Sequence, residues 1–170
     1  MAFVGLCETS AWAEDKSQTD LALSLPAIEV IGVLPMKGLD QPKRDIPSSI
    51  QSLDQRTMRA SDAAALPELM NARLNAVTVN EIQGNPFQVD VNYRGFTLSP
   101  LLGTPQGLSV YQDGVRINEP FGDSVNWDVI PRQAIASIDL IPGSNPLFGL
   151  NTLGGALSIH TKSGLDGAGS

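Results

Sequence analysis

The sequence predicts an α+β domain, a small mixed sheet of about four strands with short helices and long loops, and three observations predict it. Val89, Val91 and Tyr93 alternate with Gln88, Asp90 and Asn92, the period of a strand with one buried face. Leu66, Leu69, Met70 and Leu74 fall at the spacing of a single helical face, so one real helix is expected there. The remaining apolar runs are short and β-branched, and stretches rich in Gly, Pro and Asn separate them.

Composition narrows the function classes. A chain of 170 residues with 42% hydrophobic content can bury one modest core. Its 11 basic against 18 acidic residues, with no basic cluster, make nucleic acid an unsuitable partner. A single Cys allows no internal disulfide and no multi-cysteine metal site. No apolar run approaches the roughly 20 residues of a membrane-spanning helix.

In chain order, residues 1–27 read as an export-signal remnant and a flexible tail: Met1 to Cys7 is apolar, and Ala11-Trp12-Ala13 ahead of Glu14 fits a small-x-small cleavage pattern. Residues 28–47 read as an extended β-branched segment, Ile28-Glu29-Val30-Ile31-Gly32-Val33, and a linker with Pro35, Gly38, Pro42 and Pro47. From 48 to 164 the pattern is that of one domain. Ile46 to Leu53 predicts a short strand, and the helix follows, with Ser61 and Asp62 as candidate caps and Pro67 moving its start toward Leu66. Val77 and Val79 begin a strand, and Val89 to Tyr93 form the next. Residues 95–107 carry three Gly and two Pro and predict a long loop. Leu108 to Tyr111 is a strand, and Asp113-Gly114 signals a hairpin into Val115-Arg116-Ile117. After a second long loop over 118–128, Pro131 suits the first position of a short helix. The runs with Ile138 and Leu140 and with Ala156, Leu157 and Ile159 are the closing strands, and residues 165–170 read as a linker.

Three motifs carry a resemblance. The stretch Ile130-Pro131-Arg132-Gln133-Ala134-Ile135-Ala136-Ser137-Ile138-Asp139-Leu140-Ile141-Pro142-Gly143, continuing to Leu153-Gly154-Gly155-Ala156-Leu157-Ser158-Ile159-His160-Thr161-Lys162, resembles the closing segment of the plug domain of TonB-dependent outer-membrane receptors. Tyr93-Arg94-Gly95-Phe96 is similar to the family's I-R-G-F, and Val110-Tyr111-Gln112-Asp113-Gly114-Val115 to its V-x-V-D-G-V. Order and spacing match over residues 28 to 164, whereas the β-barrel of such receptors needs far more chain than 170 residues.

The resemblance implies a plug that gates a barrel in the outer membrane and contributes to binding a scarce nutrient, a ferric siderophore or similar chelate, with no enzyme chemistry and no cofactor. Ile28 to Val33 would be the TonB box, an edge-pairing strand that a TonB-type energy-transducing protein grasps; an ordinary first strand is the other reading. Arg94 and Asp139 would contact the barrel wall, Asp139 standing one methylene shorter than the family's Glu; a surface salt bridge is the plainer role for Arg94. The outward loops would place Ser99, Asn118, Phe121, Asn126 and Phe148 toward the ligand, although the aromatic residues also suit packing. A stand-alone periplasmic or signalling binding module with the same fold, or an inactive receptor fragment, is the alternative.

Other chemistries fail on their residues. Gly149 to Gly154 has phosphate-loop spacing, but Gly155 and Ala156 stand where Lys and Ser or Thr are needed. His160 is the only histidine, no nucleophile elbow occurs, and Asp113, Glu119, Asp123 and Asp128 are too scattered for a calcium loop, so no metal site is expected.

Overall fold

The computed structural model describes Pro35 and residues 43–81, 84–86 and 88–164. The expected TonB box at 28–33, the leader and the closing linker lie outside the described residues. Strand β1 (Gln51–Asp54) runs directly into helix α1 (Gln55–Arg59), and α2 (Leu66–Arg73) follows. The other strands are β2 (Val77–Asn80), β3 (Asp90–Tyr93), β4 (Phe96–Leu98), β5 (Leu108–Gln112), β6 (Val115–Arg116), β7 (Ile135–Pro142) and β8 (Gly155–Thr161).

These strands make two sheets rather than the single sheet of about four strands expected. One has the order β1-β7-β8-β5-β6, and the other β2-β3-β4. The β5–β8 pair is parallel and its neighbours antiparallel, so the larger sheet is mixed and the α+β class holds. The extra strand is β4, inside the stretch expected to be loop. Arg94 and Gly95, at φ 51° and 88°, turn the chain back so that Phe96 faces Tyr93. Two successive left-handed residues match the twist of a hairpin; the Gly and Pro of 100–107 had masked this short return.

The core follows from alternation and register. Leu53, Leu108, Val110, Ile138, Leu140, Leu157 and Ile159 share one face of the larger sheet. That face packs with Leu66, Leu69 and Met70 of α2 and Val91 and Tyr93 of the smaller sheet. On the opposite face Ile50, Tyr111, Ile141, Phe148 and Ala156 form a second cluster. Strands β7 and β8 are therefore covered on both sides, which is why their sequences read as nearly continuous apolar runs.

Local rules explain the helices. Asp54 ends β1 and caps α1, its Oδ1 accepting from Thr57 N at 2.8 Å. This five-residue helix was not foreseen, being too short to show a periodic face. Helix α2 begins at Leu66, with Pro67 in its first turn. Neither Ser61 nor Asp62 caps it: the N-cap is Ala65, without a side-chain bond, and Glu68 Oε2 reaches back to accept from Ala64 N at 2.8 Å. The short helix expected at Pro131 is a single 3-10 turn, Arg132–Ala134.

Strand β8 enters the sheet through a close approach. Gly155 adopts φ 136°, and a Cβ there would lie 2.2 Å from Ile141 O. Gly155→Ala is expected to lower stability by about 2–4 kcal/mol through strain and overpacking, read as a reduced urea midpoint. An unchanged midpoint would show that the β7–β8 junction relaxes freely.

Candidate functional site

The loops at one end of the larger sheet are tied to each other by a few polar side chains, ranging from buried Asn118 to exposed Asn151. Asn118 is the central one. Its Oδ1 accepts from Val110 N at 2.7 Å, while its Nδ2 donates to Leu108 O at 3.2 Å and Asp123 O at 3.1 Å. Arg116 Nη2 donates to Asp123 Oδ1 at 2.9 Å and to Leu150 O at 3.0 Å. Asn151 Nδ2 donates to the other oxygen, Asp123 Oδ2. The 118–126 and 149–152 loops therefore share one carboxylate. Leu102 of a third loop lies against Gly122, where a Cβ would meet its Cδ2 at 2.8 Å.

Large apolar side chains stand outward on this frame. Phe121 and Leu150 are each 82% exposed, and Leu102, Leu147 and Leu153 are exposed as well. An apolar tip on a polar, fixed base is suited to contact and not to bond chemistry. Among the described residues no group of His, Cys, Asp and Glu could hold a metal ion.

The expected ligand-facing residues divide. Phe121 faces out, and Asn126 is half-buried, donating to Glu119 Oε1. Ser99, Asn118 and Phe148 do not face out in this chain; they are buried loop anchors. Ser99 O accepts from Val125 N at 3.0 Å and its Oγ from Leu101 N at 3.0 Å, joining two loops. Phe148 packs edge-on to Tyr111, 6.5 Å between ring centroids, and its carbonyl accepts from the Tyr111 hydroxyl at 2.6 Å. Burial pushes the Tyr111 phenol up, and nearby Arg116 pulls partly against it. Arg116, Asp123 and Asn151 were missed by sequence reasoning, because 28 residues separate Asn151 from its carboxylate partner.

Arg94 and Asp139 lie on different sheets and form no hydrogen bond or ion pair with each other. Arg94 sits exposed at the tip of the β3–β4 turn, its guanidinium carbon 5.1 Å from the Tyr93 ring centroid. It has no carboxylate partner among the described residues. Asp139 is buried at mid-strand in β7. Ser52 Oγ donates to its Oδ1, His160 Nε2 stands 3.8 Å from its Oδ2, and Ser158 Oγ lies 3.2 Å from the same His160 nitrogen. Serine and carboxylate thus compete for one nitrogen, which is not the relay of a hydrolytic triad.

Burial pushes the Asp139 carboxyl above its ordinary value, and the Ser52 hydroxyl, His160 and Lys43 pull partly back. The folded chain holds this proton more tightly than the unfolded chain. The group therefore favours folding fully below the ordinary carboxylate pKa, and that contribution is lost as pH rises through the raised folded value. Asp139→Asn, which carries no charge to desolvate, is expected to gain in melting temperature relative to the parent as pH rises from about 3 to about 7. A difference that stays flat over that range would show that Asp139 is not a desolvated acid.

A family model, the TonB-dependent Receptor Plug Domain, matches residues 42–156, well over half of the chain. The chain belongs to the TonB-dependent receptor plug domain family. No curated protein matches it by sequence. Among solved structures it is similar to FpvA of P. aeruginosa bound to a heterologous pyoverdine, with TM-score 0.55 and 17% identity over 71% of this chain and 15% of that one. The alcaligin outer membrane receptor FauA of Bordetella pertussis gives TM-score 0.53 at 14% identity, over 79% of this chain and 21% of that one. The hemophore receptor HasR of Serratia marcescens gives TM-score 0.53 at 20% identity, over 72% and 18%. At these identities the likeness is one of fold. The chain spans about a fifth or less of the length of these receptors. Plug domains of this family are components of outer-membrane transporters, and no helix among the described residues is long and apolar enough to cross a membrane.

Proposed function

We propose that this chain serves as the plug of a TonB-dependent outer-membrane transporter. In that role it closes a β-barrel, offers its tied loops to a scarce nutrient such as a ferric siderophore or similar chelate, and opens when a TonB-type protein pulls on Ile28 to Val33. The observation that carries this reading is the loop frame around Asp123, which holds Phe121 and Leu150 outward from adjacent loops of a plug-family fold. A ligand resting there touches loops that are bonded to each other and to β5 through Asn118, so contact at the tip bears on the sheet. No bond is made or broken.

The partner-binding half of the reading rests on sequence alone. A peptide covering residues 27–33 is expected to bind the periplasmic domain of a TonB-type protein by strand addition, and Val30→Pro to abolish binding by removing a ladder N–H. Equal heats of binding for the two peptides in calorimetry would place the box elsewhere.

Arg94 is proposed to meet a carboxylate of the barrel wall. Its exposure at the tip of a two-residue turn and the lack of an ion pair for it among the described residues support this. Arg94→Ala is expected to change the stability of the chain by no more than about 0.5 kcal/mol, as exposed substitutions do. In a barrel-bearing receptor it is expected to raise entry of large antibiotics, and Arg94→Lys to restore closure only partly, because an ammonium lacks the planar fork. Unaltered antibiotic entry for Arg94→Ala would reduce the residue to its contact with Tyr93.

A further inference from the structure

A continuous groove crosses the flank formed by α1, the start of α2 and the start of β7. Its first segment, about 280 Å³, lies among Gln55, Arg59, Arg132 and Lys162. Arg132 and Gln133 also border the second, about 190 Å³, which passes over Trp127 and Pro131. That segment in turn shares Ala65, Pro67 and Pro86 with a third, about 460 Å³, ending at Val79 of the edge strand β2.

Two buried donors in the groove lining have no acceptor. The Trp127 side chain is 3% exposed and its Nε1 is unpaired; the Gln55 Nε2 is likewise buried and unpaired. The first segment is also electropositive: Arg59, Arg132 and Lys162 line it and no described carboxylate does. Arg132 donates to the carbonyls of Met58, Ser61 and Ala63, and Lys162 to Gln133 O. Carbonyls satisfy hydrogen bonds and leave the charge standing. In a chain of net charge −7 this end runs against the average. The middle, by contrast, sets Ala and Pro side chains around Trp127 and brings in the Asp128 carboxylate beside Arg132 and Gln133.

We propose that the groove seats an extended polypeptide segment of a partner protein. Seating that segment turns the Trp127 and Gln55 side chains toward the groove so that its backbone carbonyls accept from them, and an acidic side chain lies among Arg59, Arg132 and Lys162. A free anion answers only the basic end. The indole N–H shares its segment with the Asp128 carboxylate, which disfavours a second anion there and suits a neutral acceptor, and a peptide supplies both along one line. The edge strand at the far end leaves room for the segment to continue. The proposal is independent of the cargo and of the TonB box.

The test is a titration of the ¹⁵N-labelled full chain with an acetylated, amidated peptide of alternating valine and threonine closed by two glutamates. A saturable shift of the Trp127 indole resonance is expected, with Trp12 as the internal reference. Arg59→Glu, at an exposed position that leaves the fold intact, is expected to weaken binding about tenfold, a loss of about 1.4 kcal/mol. A glutamine version of the peptide is expected to weaken similarly, and Trp127→Phe to weaken both peptides. An indole resonance that the peptide leaves unmoved, while inorganic phosphate shifts Arg59 and Lys162, would overturn the proposal in favour of a plain anion site. Binding indifferent to Arg59→Glu would overturn it as well.

Discussion

The pairing of β7 with β8 is the constraint on which the remainder of the molecule depends. Seven register partners join them, from Ile135 with Thr161 to Pro142 with Gly155, and each also pairs with a further strand on its other side. Both faces of the pair are covered, by the main cluster on one side and the Tyr111–Phe148 cluster on the other. A slip of one residue would exchange those faces and carry Asp139 and Ser158 into the main core without partners. The glycine at the entry of β8 fixes the register from one end, because only a residue without Cβ fits beneath Ile141 O.

Polar atoms inside this frame are few, and most of them hold loops rather than form a reaction centre. Asn118 replaces backbone partners for Val110 N and Leu108 O where β5 runs out of neighbours, and passes a further bond to Asp123. Asp123 converts two separate loops into one body through Arg116 and Asn151. Ser109 and Thr152 do the same below, their hydroxyls 2.6 Å apart in full burial. An apolar tip is useful for recognition when its base is this fixed, since little freedom remains to be lost on contact.

The fold class, the helix at Leu66 and the closing strands were readable because periodicity and turn residues act over a few positions. Strand β4 was not, since three residues between a turn and a Gly-rich loop show no period, and only pairing with β3 makes Phe96 to Leu98 a strand. For Phe148 and Asn118 the sequence points outward only through the loops that carry them. Burial of single residues within a loop depends on partners distant in sequence, such as Tyr111 and Leu108. The family resemblance groups Arg94 and Asp139, from two different motifs, at the barrel wall, yet they occupy different sheets, and their side chains answer to different surroundings.

Strand β1 and helix α1 share Asp54, which ends one and caps the other, and no slack lies between them. Tension entering from the amino-terminal side therefore acts on these elements in series. It meets first the four register pairs of an edge strand, Gln51 to Asp54 against β7, and then the short helix that loses its cap with that strand. The next resistance is of another kind: the Arg132 guanidinium grips the carbonyls of Met58, Ser61 and Ala63 from a distant part of the chain. The domain is thus built as a tether ending in a clasp, and Leu53 and Met58 fasten that tether to the same core as α2.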